Sequence, residues 1–307
     1  MKNESINSQN PYVKKSYAWY MVLLMTMAYM FSFIDRYILG LLIDPIKADL
    51  GLSDTQMGLL LGPAFAIFYA TMGLPLGYLA DRVKRVSIVS IGIFIWSLAT
   101  VASGFAQKFS HLFLARMTVG IGEATLSPCA LSMITDSFPE KNRGKPIGFY
   151  TMGMSFGPAI AYLSGAAVLF WSQSIDSIQI PLIGDIAPWQ LAFIVVGFPG
   201  MLLAIFVYFL KEPPRKEDPN LENKEKPTIV EALKYFYSKA GAMGSFILPA
   251  CVMTVIAYSQ AWLAPMFERT WGMETSQYAL INGMLLLCLG PISKNTAGCL
   301  ADYLRKK

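Results

Sequence analysis

The chain has 307 residues, 54% of them hydrophobic and only 15% charged, with a mean hydropathy of +0.46 and a formal net charge of +5. Soluble domains carry about a quarter charged residues, so a single water-facing globule is excluded and the bilayer is the solvent this composition fits. Four cysteines (Cys129, Cys251, Cys288, Cys299) without metal-ligand or disulfide spacing, one histidine and no nucleotide loop leave no ground to expect a cofactor, a metal or a membrane enzyme.

Eight apolar blocks are long enough to cross hydrocarbon, which takes about 20 apolar residues. They run roughly over 18–42, 57–79, 86–106, 110–134, 146–171, 188–210, 241–267 and 275–300. Each is predicted to be a helix, because lipid offers a bare backbone nothing to hydrogen-bond. The polar stretch Met1 to Lys15 leads into a block too long for a signal peptide, with no small-residue cleavage site. The expected fold class is therefore an all-α polytopic membrane protein of about eight helices. Of 25 lysines and arginines, 19 fall at the N-terminus, between blocks two and three, four and five, six and seven, or after block eight. Only Lys47, Lys108 and Arg269 fall in the opposite connections. The asymmetry predicts a cytoplasmic N-terminus in a cell (inner or plasma) membrane. It also argues against a nucleic-acid partner, since the cations follow the membrane's inner face in short loops. Tyr17, Trp19, Tyr20, Trp171 and Trp189 stand where interfacial anchors belong.

Block one carries Asp35 and Arg36, about seven residues from its outer end. Block four carries Arg116 about six residues from its outer end, and Glu123 seven residues further on. At 1.5 Å per residue, Asp35, Arg36 and Arg116 lie roughly 10 Å below the outer surface. Ionisable groups inside a span are costly and mark working sites. Asp35, Arg116 and Glu123 are expected to form a vertical series in which protonation and ion pairing compete, with Arg36 a further candidate for proton coupling or substrate binding; the alternative for Arg36 is a structural role on a face turned away from the series. A static ion-pair network that fixes helix packing is the other reading. In the loop after block two, Gly77 would let a neighbouring helix approach closely. Asp81, at a helix end, would pair with cations or face a helix N-terminus. Asp136, at the cytoplasmic end of block four, is a candidate partner for Arg82 or Arg85. In block five, Gly153, Gly157 and Pro158 permit close packing and a kink. Lys211 to Pro227 is charged, proline-rich and nearly free of apolar residues, the composition of a flexible linker. The expected organisation is a six-helix bundle over 1–210, a cytoplasmic linker over 211–239, and two helices over 240–307.

The stretch 51–86 is repeated at 272–307 at a constant offset of 221 without a gap. Gly51, Gln56 and Gly62 match Gly272, Gln277 and Gly283; Gly77, Leu79, Ala80 and Asp81 match Gly298, Leu300, Ala301 and Asp302. Parallel repeats of this kind are a transporter plan. Block eight thus repeats block two, and further spans of the second repeat are expected beyond the chain.

GYLADRVKR (Gly77 to Arg85) resembles the signature loop between helices 2 and 3 of the major facilitator superfamily, with Lys84 at its second glycine and Val86 at its last basic position. The second copy, GCLADYLRKK, keeps Gly298 and Asp302 and has Tyr303 at the arginine. FIDRYILG (Phe33 to Gly40), RMTVGIGEATLSP (Arg116 to Pro128), PEKNRG (Pro139 to Gly144) and WQLAFIVVGFPG (Trp189 to Gly200) are similar to the spinster-like subfamily. The resemblance implies two six-helix halves, alternating access, a signature loop that locks the halves in one state, and coupling to protons through Asp35 and Glu123, with Arg116 as exchangeable partner or substrate anchor. The substrate would be a small organic anion or an amphipathic, lipid-like molecule. Gly153, Gly157 and Pro158 resemble a motif of exporters, although Ala161 and Tyr162 replace its paired glycines. A non-transporting receptor or scaffold on the same fold is the alternative. Eight spans alone would not seal a cavity, so coupled transport is not expected of residues 1–307 by themselves.

Overall fold

The computed structural model describes residues 14–172, 178–180, 184–215 and 229–305. Among these, seven helical stretches are long and apolar enough to cross a membrane: span 1, Lys15–Leu41; span 2, Asp54–Ala80; span 3, Arg85–Ser103; span 4, Phe109–Ser137; span 5, Gly144–Trp171; span 6, Pro188–Tyr208; and span 7, Met243–Trp271. The helix Thr275–Arg305, here span 8, falls on the eighth expected block. Large apolar side chains such as Ile67, Leu74, Phe198 and Phe206 are exposed along the outer faces, as a surface solvated by lipid requires.

Breaks within the spans follow from local chemistry. Span 2 interrupts at Gly62, and Pro63, which has no N–H to donate, begins the next helical piece Pro63–Ala80. Span 4 interrupts between Glu123 and Leu126. Pro128 lies four residues after Ala124 and cannot bond its carbonyl, so the helix loosens beside Glu123.

Span 3 packs most extensively on span 6 and on the first part of span 4, span 1 on span 5, and span 8 on span 5. At two glycines this packing is close. A Cβ at Gly157 would lie 2.6 Å from Phe33 Cβ and 2.8 Å from the Met30 carbonyl, and one at Gly153 would lie 3.1 Å from Tyr29 Cβ. Span 5 therefore touches the backbone of span 1 through these positions, and Pro158 lies inside the same helix. At Gly77 no close approach is made among the described residues: a Cβ there would meet nothing within 4 Å, and Leu74 and Leu79 beside it are exposed.

The repeat is visible in the backbone. Gly51 (φ 63°) and Gly272 (φ 67°) are the left-handed residues of the described chain, and each ends a helix. Such a C-terminal residue favours glycine, which has no Cβ to clash. Just after them, Met57 N donates to the Ser53 carbonyl and Tyr278 N to the Glu274 carbonyl, both at 3.0 Å. All three pairs keep the offset of 221.

Two parts of the chain differ from expectation. The connection between spans 5 and 6 contains a two-stranded antiparallel ribbon, Ile178–Ile180 with Gly184–Ile186, so the fold is helical apart from this hairpin. The expected linker is pinned at its start: Arg215 donates to the carbonyls of Ala80, Asp81 and Val83. It ends in a helix, Ile229–Ser238. Residues 216–228 lie outside the described residues, as do the side chains of Gly298 and Asp302, whose backbone belongs to span 8.

Candidate functional site

Asp35 and Arg36 are neighbours on span 1, and successive helical residues point about 100° apart. They therefore serve different partners, and the expected single series is two separate pairs. Asp35 Oδ2 accepts from Arg116 Nη1 at 2.6 Å, and Asp35 Oδ1 accepts from Thr100 Oγ1 of span 3 at 2.7 Å. Both charged residues are 2% exposed. Arg36 is not turned away. Its Nε and Nη2 donate to Glu123 Oε2 at 2.7 and 2.5 Å, and Ser32 Oγ donates to the same oxygen at 2.7 Å. Helical side chains lean toward the helix N-terminus. Arg36 therefore reaches back along span 1 to the level of Ser32, where Glu123, two turns beyond Arg116, faces it from span 4.

The two pairs share a wall of aromatic rings. The Arg36 guanidinium carbon lies 4.6 Å from the Phe65 ring centre, 5.0 Å from Tyr69 and 5.2 Å from Phe33; that of Arg116 lies 5.3 Å from Phe65. Desolvated cation–π contacts of this type are worth about 2 kcal/mol. Glu123 Oε1 and Arg116 Nε are buried without a hydrogen-bond partner. Beside the pairs lies a cavity of about 380 Å³, bounded by Arg36, Arg116, Phe33, Phe65, Tyr69 and Tyr162 on one side and by Thr254, Tyr258 and Ala261 of span 7 on the other. Asp35 and Glu123 stand behind the arginines, outside the lining.

The two ends of the bundle are held by other charges. At the ribbon end, Arg269 of span 7 pairs with Asp44 at 2.6 Å and Asp54 at 3.1 Å, and Lys47 pairs with Asp54 at 2.5 Å. These contacts join the two repeats. At the opposite end, Arg85 pairs with Asp136 at 2.5 Å and Glu212 at 2.7 Å, and donates to Ser132 Oγ and the Pro213 carbonyl. Of the two expected candidates, Arg85 takes Asp136; Arg82 lies instead over the Tyr78 ring. Asp81 contributes its carbonyl to Arg215. All these partners fall within residues 1–215.

The family model for the Major Facilitator Superfamily matches residues 25–301. The chain belongs to this superfamily. Within it, the spinster-like resemblance holds. A bacterial homologue of the human lysosomal transporter spinster, solved in an inward-facing and unoccupied conformation, superposes with a TM-score of 0.78 at 35% identity over 95% of this chain and 64% of that one. Protein spinster homolog 1 of Xenopus tropicalis is 32% identical over 76% of this chain and 42% of its own. The probable L-galactonate transporter of Escherichia coli is 30% identical over 82% of this chain and 48% of its own. This superfamily member thus spans about half the length of its curated relatives, and it is a multi-pass membrane protein.

Serine 32, Thr100 and Glu212 were not legible as site residues. Hydroxyls are common in spans, and Glu212 sits in a charged stretch that reads as solvated; only the pairing in space marks them.

Proposed function

We propose that these residues bind substrate and protons in a secondary active transporter working by alternating access, with a small organic anion or an amphipathic molecule with an anionic head as substrate. The observation that carries this reading is that two arginines, Arg116 buried and Arg36 half-buried, face the cavity while their carboxylate partners stand behind them. An incoming carboxylate would compete with Glu123 for Arg36. Charge-assisted pairs with arginine are strong and directional, and a carboxylate left in the membrane interior without its cation is costly. Glu123, released by Arg36, would take up a proton, with Oε1 free to carry it. Asp35 and Arg116 would do the same when the cavity rearranges. The sum of charge in the site is then unchanged by the joint arrival of one anion and one proton.

In this reading the basic end is cytoplasmic and open, the ribbon end is closed by Arg269, and Arg85 stiffens the cytoplasmic end of the first half. Similarity to an inward-facing spinster homologue supports that assignment. The relative named for L-galactonate, a hydroxylated carboxylate, supports the anionic head. The test is uptake into proteoliposomes by a chain that contains these residues and completes the second repeat. Acid-driven uptake should be lost in Asp35→Asn and Glu123→Gln; gradient-driven uptake surviving in both removes the proposal.

A further inference from the structure

Span 7 faces the cavity with Thr254, Ala257, Tyr258 and Ala261, the spacing of a single helix face. Only two of these carry a hydroxyl. Thr254 Oγ1 is engaged by the Ala250 carbonyl of its own helix at 2.8 Å. The Tyr258 hydroxyl has no hydrogen-bond partner among the described residues. Tyr258 belongs to the lining of the same cavity as Arg36 and Arg116. The other cavity tyrosines are placed differently. Tyr37 and Tyr69 belong to spans 1 and 2, in the same repeat as the arginines, and Tyr162 of span 5 packs edge-on against Tyr278 of span 8 with ring centres 6.0 Å apart. Tyr258 is therefore the free polar group that the second repeat offers to a ligand held by the first.

We propose that Tyr258 is a specificity-determining residue whose hydroxyl hydrogen-bonds the part of the substrate remote from its anionic group, so that the site selects carboxylates bearing a hydroxyl or carbonyl there. The inference rests on the reading of the cavity as an anion site. A ligand with both groups touches both repeats at once, its carboxylate at Arg36 and Arg116 and its far oxygen at Tyr258. A carboxylate with an alkyl tail engages the first repeat alone. Tyr258→Phe keeps the ring and removes only the hydroxyl, so packing is preserved.

The test is equilibrium binding of L-galactonate and of hexanoate, six-carbon carboxylates with and without hydroxyls, to purified wild-type protein, Tyr258→Phe and Arg36→Gln in lipid nanodiscs. Loss of one hydrogen bond should weaken L-galactonate by about five-fold in Tyr258→Phe and leave hexanoate unchanged, whereas Arg36→Gln weakens both. Wild-type affinity for L-galactonate in Tyr258→Phe overturns the proposal, as does equal weakening of both anions, which marks a structural role. No binding of L-galactonate to the wild type also overturns it. In each of these cases the anion-site reading stands if hexanoate binds and Arg36→Gln weakens it, and falls if Arg36→Gln changes nothing.

Discussion

The two buried ion pairs are built from the same chemistry but held in different ways. In Asp35–Arg116 the carboxylate is closed at both oxygens: one takes Arg116 and the other takes Thr100, and both side chains are buried, with Arg116 Nε left without a partner. Arg36–Glu123 is lopsided. Three donors crowd onto Oε2 while Oε1 has none, and the Arg36 side chain is 26% exposed toward the cavity. A carboxylate bonded at both oxygens holds helices together; a pair with a spare carboxylate oxygen and an exposed cation can exchange partners. The contrast assigns Asp35–Arg116 mainly to holding spans 1, 3 and 4, and Arg36–Glu123 to answering the ligand.

The sharpest way to break the comparison is to remove each cation in turn. Arg116→Met leaves Asp35 sealed and unpaired and should cost about 3–5 kcal/mol, seen as a large drop in thermal unfolding temperature in detergent. Arg36→Met should cost clearly less, because the Arg36 side chain is already 26% exposed and borders the cavity, where water can take its place beside Glu123. Equal losses would erase the distinction. Next in size is Gly157→Leu, which drives a side chain into Phe33 and the Met30 carbonyl and should cost about 1–3 kcal/mol through overpacking. It separates span 5 from span 1 without touching either pair, so a changed ligand affinity there would show that the pairs are not independent of helix spacing.

Smaller effects sharpen the same contrast. Thr100→Val removes the one bond to Asp35 Oδ1 and should cost about 1.5–3 kcal/mol, the range for hydrogen bonds to charged groups. Ser32→Ala leaves both Arg36 bonds to Glu123 in place and should cost less than Thr100→Val in the same unfolding assay. Smallest in stability is Arg269→Ala at the exposed ribbon end, about 1 kcal/mol or less for such surface pairs. Its expected readout is conformational. A cysteine at Ala261 should become more reactive to a membrane-impermeant thiol reagent applied from the ribbon side, and unchanged reactivity would deny Arg269 a closing role.

Much of this was legible in the sequence for physical reasons. Hydrocarbon demands long apolar helices, so the spans show in composition alone. Charges are so costly in lipid that Asp35, Arg36, Arg116 and Glu123 stand out against their surroundings. The offset of 221 kept Gly51 and Gly272 in register because a left-handed helix end favours glycine wherever it recurs. Pairing was not legible. Depth along a span places Asp35, Arg36 and Arg116 at one level, but the 100° turn between adjacent residues and the backward lean of Arg36 decide who meets whom. The open space at Gly77, the pinning of Arg215 on span 2 and the ribbon between spans 5 and 6 likewise depend on neighbours distant in the chain.

The central claim is that an anion entering the cavity takes Arg36 from Glu123, which then binds a proton. Calorimetric titration of the purified protein with L-galactonate in two buffers of different ionisation enthalpy measures this directly. About one proton should be taken up per ligand bound, affinity should rise as pH falls, and both effects should vanish in Glu123→Gln. Binding with no proton uptake, or with the same uptake in Glu123→Gln, would contradict the account.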